Sequence, residues 1–222
     1  MKYIKIFQKQ NGLVPDGIIG RKTLAKMADV FKLNNKELSH FLGQVWEETG
    51  GFKSGEESFN YSVSGLKKTF GRHRISNEDC ERYGRTSTRP ANQEAIANIV
   101  YGGEWGRRNL GNMEYGDGWK HRGFGSVMIT GKTNQEKFAN RVKDLRIIEN
   151  PSLIADKYFF ESGLDFFNTK NLWKYCTEVN DSSILTVSRG VNLGNPNSTG
   201  TPHGIDNRNK MTKYYYNLTK NG

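Results

Sequence analysis

The chain has 222 residues, with 33 Lys/Arg against 23 Asp/Glu, a net charge of +10 and 35% hydrophobic residues. That length supports one sizeable core or a core with a small appendage, and no stretch approaches the roughly 18 apolar residues of a membrane span. The positive balance favours a polyanionic partner, whether nucleic acid, an anionic cell wall or an anionic membrane surface.

The N-terminus, MKYIKIFQKQNG, lacks a signal-peptide apolar region followed by a small-residue cleavage site. The chain is therefore expected to be made in a cytoplasm and to need outside help for export. Residues 1–28 read as a small unit. Ile4 and Phe7 belong to a short helix, a turn-rich stretch follows from Asn11 to Gly17, and a second helix begins near Arg21 and carries Leu24 and Met27 inward.

The clearest helix covers 35–49, where Leu38, Phe41, Leu42, Val45 and Trp46 recur at helical spacing and form one apolar stripe. On that wheel Glu47 points away from the stripe toward water and Glu48 falls at its edge. Gly50-Gly51 stop the helix just beyond. Partial burial and the negative helix end both disfavour the ionised form of a carboxyl at Glu48, which suits a proton donor working near neutrality. Further helices are predicted at 91–101, 133–142, 156–167 and 181–189. Between the first two lies a glycine-rich region, 102–131, without a strict repeat. Its Gly123-x-Gly125 lacks the frame of a phosphate-binding loop.

Cys80 and Cys176 stand in no metal-type spacing and read as free thiols. His40, His73, His121 and His203 are scattered and form no HExxH or His-x-His pair, so no metal and no other cofactor is expected. Nine residues beyond Glu48, past the helix stop, Glu57 sits on a loop that can fold back. Two carboxylates flanking a cleft, one protonating a leaving oxygen and one activating water, are what glycoside hydrolysis requires. The spacing alone is weak evidence, because a chain with 25% charged residues contains many such pairs.

The surrounding words are more specific. Gln44-Val45-x-x-Glu48-Thr49-Gly50-Gly51-Phe52 and Glu57-Ser58-Phe59-Asn60-Tyr61-Ser62 resemble glycoside hydrolase family 19, which holds chitinases and lysozyme-like endolysins. Gly116 to Gly125, Ile129 to Asn134, Asn150-Pro151-x-Leu153, Val187 to Gly194 and Arg208 resemble later words of that family, in family order. Phe7-Gln8, Gly12-Leu13, Asp16-Gly17-Ile18-Ile19-Gly20 and Thr23 resemble the second half of a peptidoglycan-binding module. The chain departs from the pattern at Glu47, where the family usually has His, and at Met128, where Gln is common. It also keeps only part of the late Asn-Gly-Gly element, at Gly194.

The resemblance implies a mainly α, two-lobed, lysozyme-like fold with short strands near the cleft. The domains would be a partial wall-binding segment at 1–28 and a catalytic domain at 29–222. It implies an inverting mechanism with Glu48 as general acid, Glu57 as general base and Thr130 helping to hold the water, the two carboxyls lying about 6.5–9.5 Å apart. Tyr61, Asn134, Asn192 and Arg208 would contact substrate or tune the pair. The leading expectation is a phage-type endolysin, a monomer that cleaves bacterial peptidoglycan, touches the anionic envelope electrostatically and leaves the host cytoplasm through holin pores. The alternative is a chitinase on the same fold. A non-catalytic wall-binding protein and a nucleic-acid-binding protein are remoter. The latter would use Lys67-Lys68, Arg72-His73-Arg74 and Arg107-Arg108, but no nucleic-acid-binding signature accompanies them, and no nucleic-acid partner is expected.

Overall fold

The structure, a computed structural model, describes residues 1–220. The first helices are α1 (Lys2–Gln10), α2 (Arg21–Phe31) and α3 (Asn35–Glu48). Eight more follow: α4 (Val63–Thr69), α5 (Asn77–Tyr83), α6 (Gln93–Val100), α7 (Gly103–Leu110), α8 (Asp117–Lys120), α9 (Lys132–Val142), α10 (Arg146–Glu149) and α11 (Leu153–Asp156). Then come α12 (Phe159–Thr169), a 3₁₀ turn (Trp173–Tyr175), α13 (Asp181–Asn192) and α14 (Ile205–Lys220). The chain forms two compact units, one from Met1–Ser54 together with Phe159 onward, the other from Gly55–Tyr158. No helix among the described residues is long and apolar enough to cross a membrane.

The first unit is organised on α3. Its start is a capping box: the Asn34 side chain accepts from the Lys36 and Glu37 backbone N–H groups, and the Glu37 carboxylate accepts from the Asn34 N–H. This satisfies amides that would otherwise be orphaned at the helix start. The predicted stripe is the buried face, with Leu38, Phe41, Leu42 and Val45 all at most 1% exposed. Trp46 is only half-buried. Phe41 meets Phe31 of α2, Phe167 of α12 and Trp173, while Phe7 of α1 meets Phe31 and Phe160. Tyr3 stacks flat on Phe159 at 3.9 Å. The N-terminal segment is therefore packed into this core through its aromatic residues.

Helix α3 packs closely on α14 at Gly43. A Cβ added at Gly43 would lie 2.9 Å from the Thr212 backbone nitrogen and 3.0 Å from its Cα. Gly43→Ala should thus push the two helices apart and cost about 1–3 kcal/mol, as overpacking of a fitted core does. The check is the urea midpoint at unchanged slope.

The second unit has its own core of Phe59, Leu66, Ile75, Cys80, Ile96, Ala97 and Val100, bordered by Tyr61, Phe70, Tyr101 and Trp119. The helices predicted at 91–101 and 133–142 are α6 and α9. The one predicted at 156–167 is split into α11 and α12 around Lys157-Tyr158, and the one at 181–189 runs on to Asn192 as α13. The glycine-rich region is not one long loop, since α7 and α8 lie within it. The expected short strands are absent among the described residues. What occurs instead is a set of single-residue bridges: Glu56 with Phe124, Phe124 with Ile129, and Ser62 with Arg85. Glycine-bounded turns on both sides of residues 123–130 leave no run long enough for a ladder.

Both cysteines are buried free thiols, and burial pushes the Cys176 thiol up to about 12. His40 and His121 are also buried, and desolvation holds both imidazoles below their ordinary value.

Candidate active site

In the first unit, Glu48 occupies the last position of α3. The helix ends there because the Thr49 hydroxyl donates to the Val45 carbonyl at 2.6 Å and accepts from the Phe52 N–H at 2.9 Å, before the backbone turns left-handed at Gly50 and Gly51. The Glu48 side chain is 28% exposed and its Oε1 accepts from Arg208 Nη2 at 2.5 Å. Arg208, on α14, is only 1% exposed. Its Nη1 donates to Gln44 Oε1 at 2.6 Å, one turn before Glu48, and its Nε donates to the His203 carbonyl at 2.9 Å. Gln44 is held in turn by donating to the Ser188 hydroxyl. The guanidinium therefore positions one oxygen of Glu48 and is itself fixed by α3, α14 and the 193–204 loop.

Glu47 does not point to water. Its side chain is 10% exposed, more buried than that of Glu48, and its Oε1 lies 3.5 Å from His203 Nδ1. A helical wheel assigns a face from the helix's own apolar stripe. It cannot register that the loop carrying His203 and Gly204 covers the far side. Asn192, at the end of α13, is exposed and accepts from the His203 N–H at 2.9 Å. The same loop residue thus joins Asn192 to Arg208, one through its N–H and the other through its carbonyl.

In the second unit, Glu57 lies on the segment that pairs with residues 123–125. The Glu57 N–H donates to the Gly123 carbonyl, and the Gly125 N–H donates to the Gly55 carbonyl, both at 2.8 Å. The carboxylate has two donors. The Tyr101 hydroxyl reaches Oε1 at 2.7 Å and the Gly123 N–H reaches Oε2 at 2.9 Å. Gly123 has to lack a side chain here: a Cβ would sit 2.9 Å from Met128 Cβ and 3.1 Å from both Glu57 Oε2 and Thr130 Oγ1. Those two oxygens therefore face one small space. The Thr130 hydroxyl donates to the Met128 carbonyl at 3.0 Å, so its lone pairs are what it can offer a further group. Asn134 is exposed one turn later, its amide donating to the Thr130 carbonyl at 2.8 Å.

Tyr61 is half-buried between Phe59 and Phe70. Burial, then the Glu57 charge, raises its phenol above the ordinary value. Tyr101, which sequence reading missed, is pushed up further by the same two causes and stays a donor at any physiological pH. Nothing in the local sequence marks Tyr101, which follows α6 and reaches Glu57 across 44 positions. Tyr101→Phe should lower kcat/KM about 10- to 100-fold at little cost in stability, because one charge-assisted hydrogen bond to the carboxylate is lost. Steady-state kinetics with a parallel thermal melt would read both effects.

Five of the seven basic side chains considered for phosphate are engaged within the unit. Arg74 bonds the Val100 carbonyl and lies over the Trp105 ring, Arg72 bonds Asn77 and the Lys67 carbonyl, Arg107 and Arg108 pair with Glu104, and Lys67 pairs with Glu81.

Glu48 and Glu57 are each held by their own donors, Arg208 for the first and Tyr101 with the Gly123 amide for the second. A glycosyl hydrolase family 19 domain-containing protein of Haemophilus influenzae is 33% identical over 181 residues, covering 81% of this chain and 78% of that protein. The chain belongs to glycosyl hydrolase family 19. Residues 2–27 in addition match the family model of a peptidoglycan binding domain.

Proposed function

We propose that this protein is a phage-type endolysin that hydrolyses the β-1,4 bond between MurNAc and GlcNAc in bacterial peptidoglycan, with inversion, to lyse the host cell. The observation that carries the chemistry is Glu57, gripped by Tyr101 and the Gly123 amide with the Thr130 hydroxyl beside it. Donors to both oxygens hold the carboxylate aimed, as a base must be. The match at residues 2–27 and the charge of +10 support an anionic bacterial wall as the substrate.

In this reading Glu48 donates a proton to the glycosidic oxygen as the bond to the anomeric carbon breaks. Glu57 takes a proton from the water that attacks that carbon from the opposite face, and Thr130 accepts the water's other hydrogen. The product is an α-anomer with a new reducing MurNAc end. Arg208 acts on Glu48, whereas Asn134 and Asn192 are exposed and can meet sugar hydroxyls or N-acetyl groups.

The test is digestion of purified peptidoglycan and, in parallel, colloidal chitin, with mass spectrometry of products and Glu48→Gln as control. Muropeptides with reducing MurNAc ends, absent from the control, are expected. Chito-oligosaccharides alone would move the same chemistry to chitin, and no product from either polymer would overturn the enzymatic reading.

A further inference from the structure

In the second unit, the segment from Arg122 to Gly131 carries both the Gly123 amide and the Thr130 hydroxyl. Among the described residues its β pairing consists of single-residue bridges through Phe124. Its path is also bent, with Gly125 at φ +88°, Met128 at φ +51° and Gly131 at φ +90°. A residue with a β-carbon disfavours the conformation of Met128. This backbone therefore depends on ties from outside the segment to keep one shape.

Gln135 supplies such a tie. It lies in the first turn of α9 and is fully buried. Its Nε2 donates to the Arg122 carbonyl and to the Ile129 carbonyl, both at 2.9 Å, so one amide group holds the segment near its two ends. Its Oε1 lies 2.7 Å from His121 Nδ1. An amide oxygen only accepts, so His121 is the donor, and the two carbonyls fix which side of the amide is nitrogen. His121 is buried too, and its own carbonyl accepts from the Gly131 N–H at 2.8 Å.

The two carbonyls matter because of what shares their peptide planes. The Arg122 C=O and the Gly123 N–H are opposite ends of one rigid peptide group, and that N–H donates to Glu57 Oε2 at 2.9 Å. The Ile129 C=O belongs to the peptide group that leads into Thr130. A donor on the carbonyl end polarises the amide and strengthens the bond that its N–H makes. Gln135 thus reaches Glu57 through a single peptide group and sets the backbone from which the Thr130 hydroxyl projects.

We propose that Gln135 is a positioning residue for the water-activating half of the site. Through the 122–123 peptide it aims the Gly123 N–H at Glu57, and through the 129–130 peptide it keeps Thr130 beside that carboxylate. His121 locks the amide in the orientation this needs. The proposal rests on the reading of Glu57 as the base.

The test measures turnover of solubilised glycan strands by the full chain, well below the thermal transition of each variant. Gln135→Met should lower kcat roughly ten-fold with KM nearly unchanged. In the Glu57→Gln background the same substitution should cost nothing further, because it acts through Glu57. Gln135→Glu keeps the shape and the bond from His121 but has no N–H for the two carbonyls, and it should show the same loss should the Met variant fail to fold. Ile147→Ala, in the buried face of α10, is the control for instability: it should lower the melting temperature and leave kcat intact. The Gly123 amide proton, read by NMR, should move upfield in both Gln135 variants as its bond to Glu57 weakens. Unchanged kcat, an equal loss with and without Glu57, a matching loss with Ile147→Ala, or an unmoved Gly123 resonance would each overturn the proposal. Lack of product from the wild type is a separate result. It would sink the hydrolase reading, and the Gly123 resonance would then decide by itself whether Gln135 is coupled to Glu57.

Discussion

Glu48→Gln is expected to lower kcat by about three orders of magnitude, within the range that a positioned general acid contributes, while leaving KM and the fold nearly unchanged. Glutamine keeps the side-chain length and an oxygen that can accept from Arg208 Nη2, now at 2.5 Å from Glu48 Oε1. What it lacks is a proton to give the departing oxygen. A substrate whose leaving group needs no protonation, such as a dinitrophenyl glycoside, should therefore lose far less. Equal losses on the natural bond and on the activated one would mean that Glu48 is not the acid, and retention of most activity on peptidoglycan would mean the same.

Arg208→Met should be the most damaging single change to stability among the site residues. The side chain is 1% exposed and serves Gln44, Glu48 and the His203 carbonyl. Its removal strands two acceptors and leaves Glu48 without its cation. Breaking a buried ion pair from one side costs about 3–5 kcal/mol, and the partial exposure of Glu48 puts this case near the lower end. For a chain of this size about 3 kcal/mol corresponds to a fall in Tm of roughly 6–12 °C. Arg208→Lys should recover little, since a point-like ammonium cannot serve three acceptors in the directions a guanidinium fork does. A urea melt of both variants decides this. A loss below about 1 kcal/mol for Arg208→Met would show that solvent replaces the guanidinium and that the network is not a structural brace. A double-mutant cycle with Glu48→Gln would then give the coupling that belongs to the pair.

The two units differ in how their side chains support the proposed chemistry. Glu48 is steadied by a cation that is itself buried, whereas Glu57 is steadied by a neutral phenol and a backbone amide. The first arrangement ties the carboxyl to the packing of α3 on α14, so changes at Gly43 or Thr212 should be felt there. The second ties its carboxyl to the 55–57 and 123–125 pairing, where Gly123 leaves room for both Glu57 and Thr130.

Much of the fold is legible locally. The stripe of Leu38, Phe41, Leu42 and Val45, the Asn34–Glu37 cap and the Gly50-Gly51 stop all operate within one helix, so period and cap chemistry read them directly. Helix α14 shows the limit. Its buried residues are Arg208, Thr212 and Tyr215, a largely polar inner face in which hydrophobic periodicity has nothing to detect. The glycine-rich region 102–131 looks like loop by composition, yet its glycines punctuate α7 and α8.

By itself the sequence determined the helical class, the position of Glu48 at a helix end, the place of Glu57 on the loop beyond and the succession of family words. Each of these depends on neighbours within a few residues. Only the tertiary structure decided that Glu47 is enclosed, that Arg208 braces Glu48 from inside the protein, and that Tyr101 holds Glu57. Those contacts join residues 160 and 44 positions apart, or set a loop against the far face of a helix. Spacing along a single element carries no information about which distant side chain satisfies a buried charge. That partner is selected by packing and by the requirement that every buried polar group be paired.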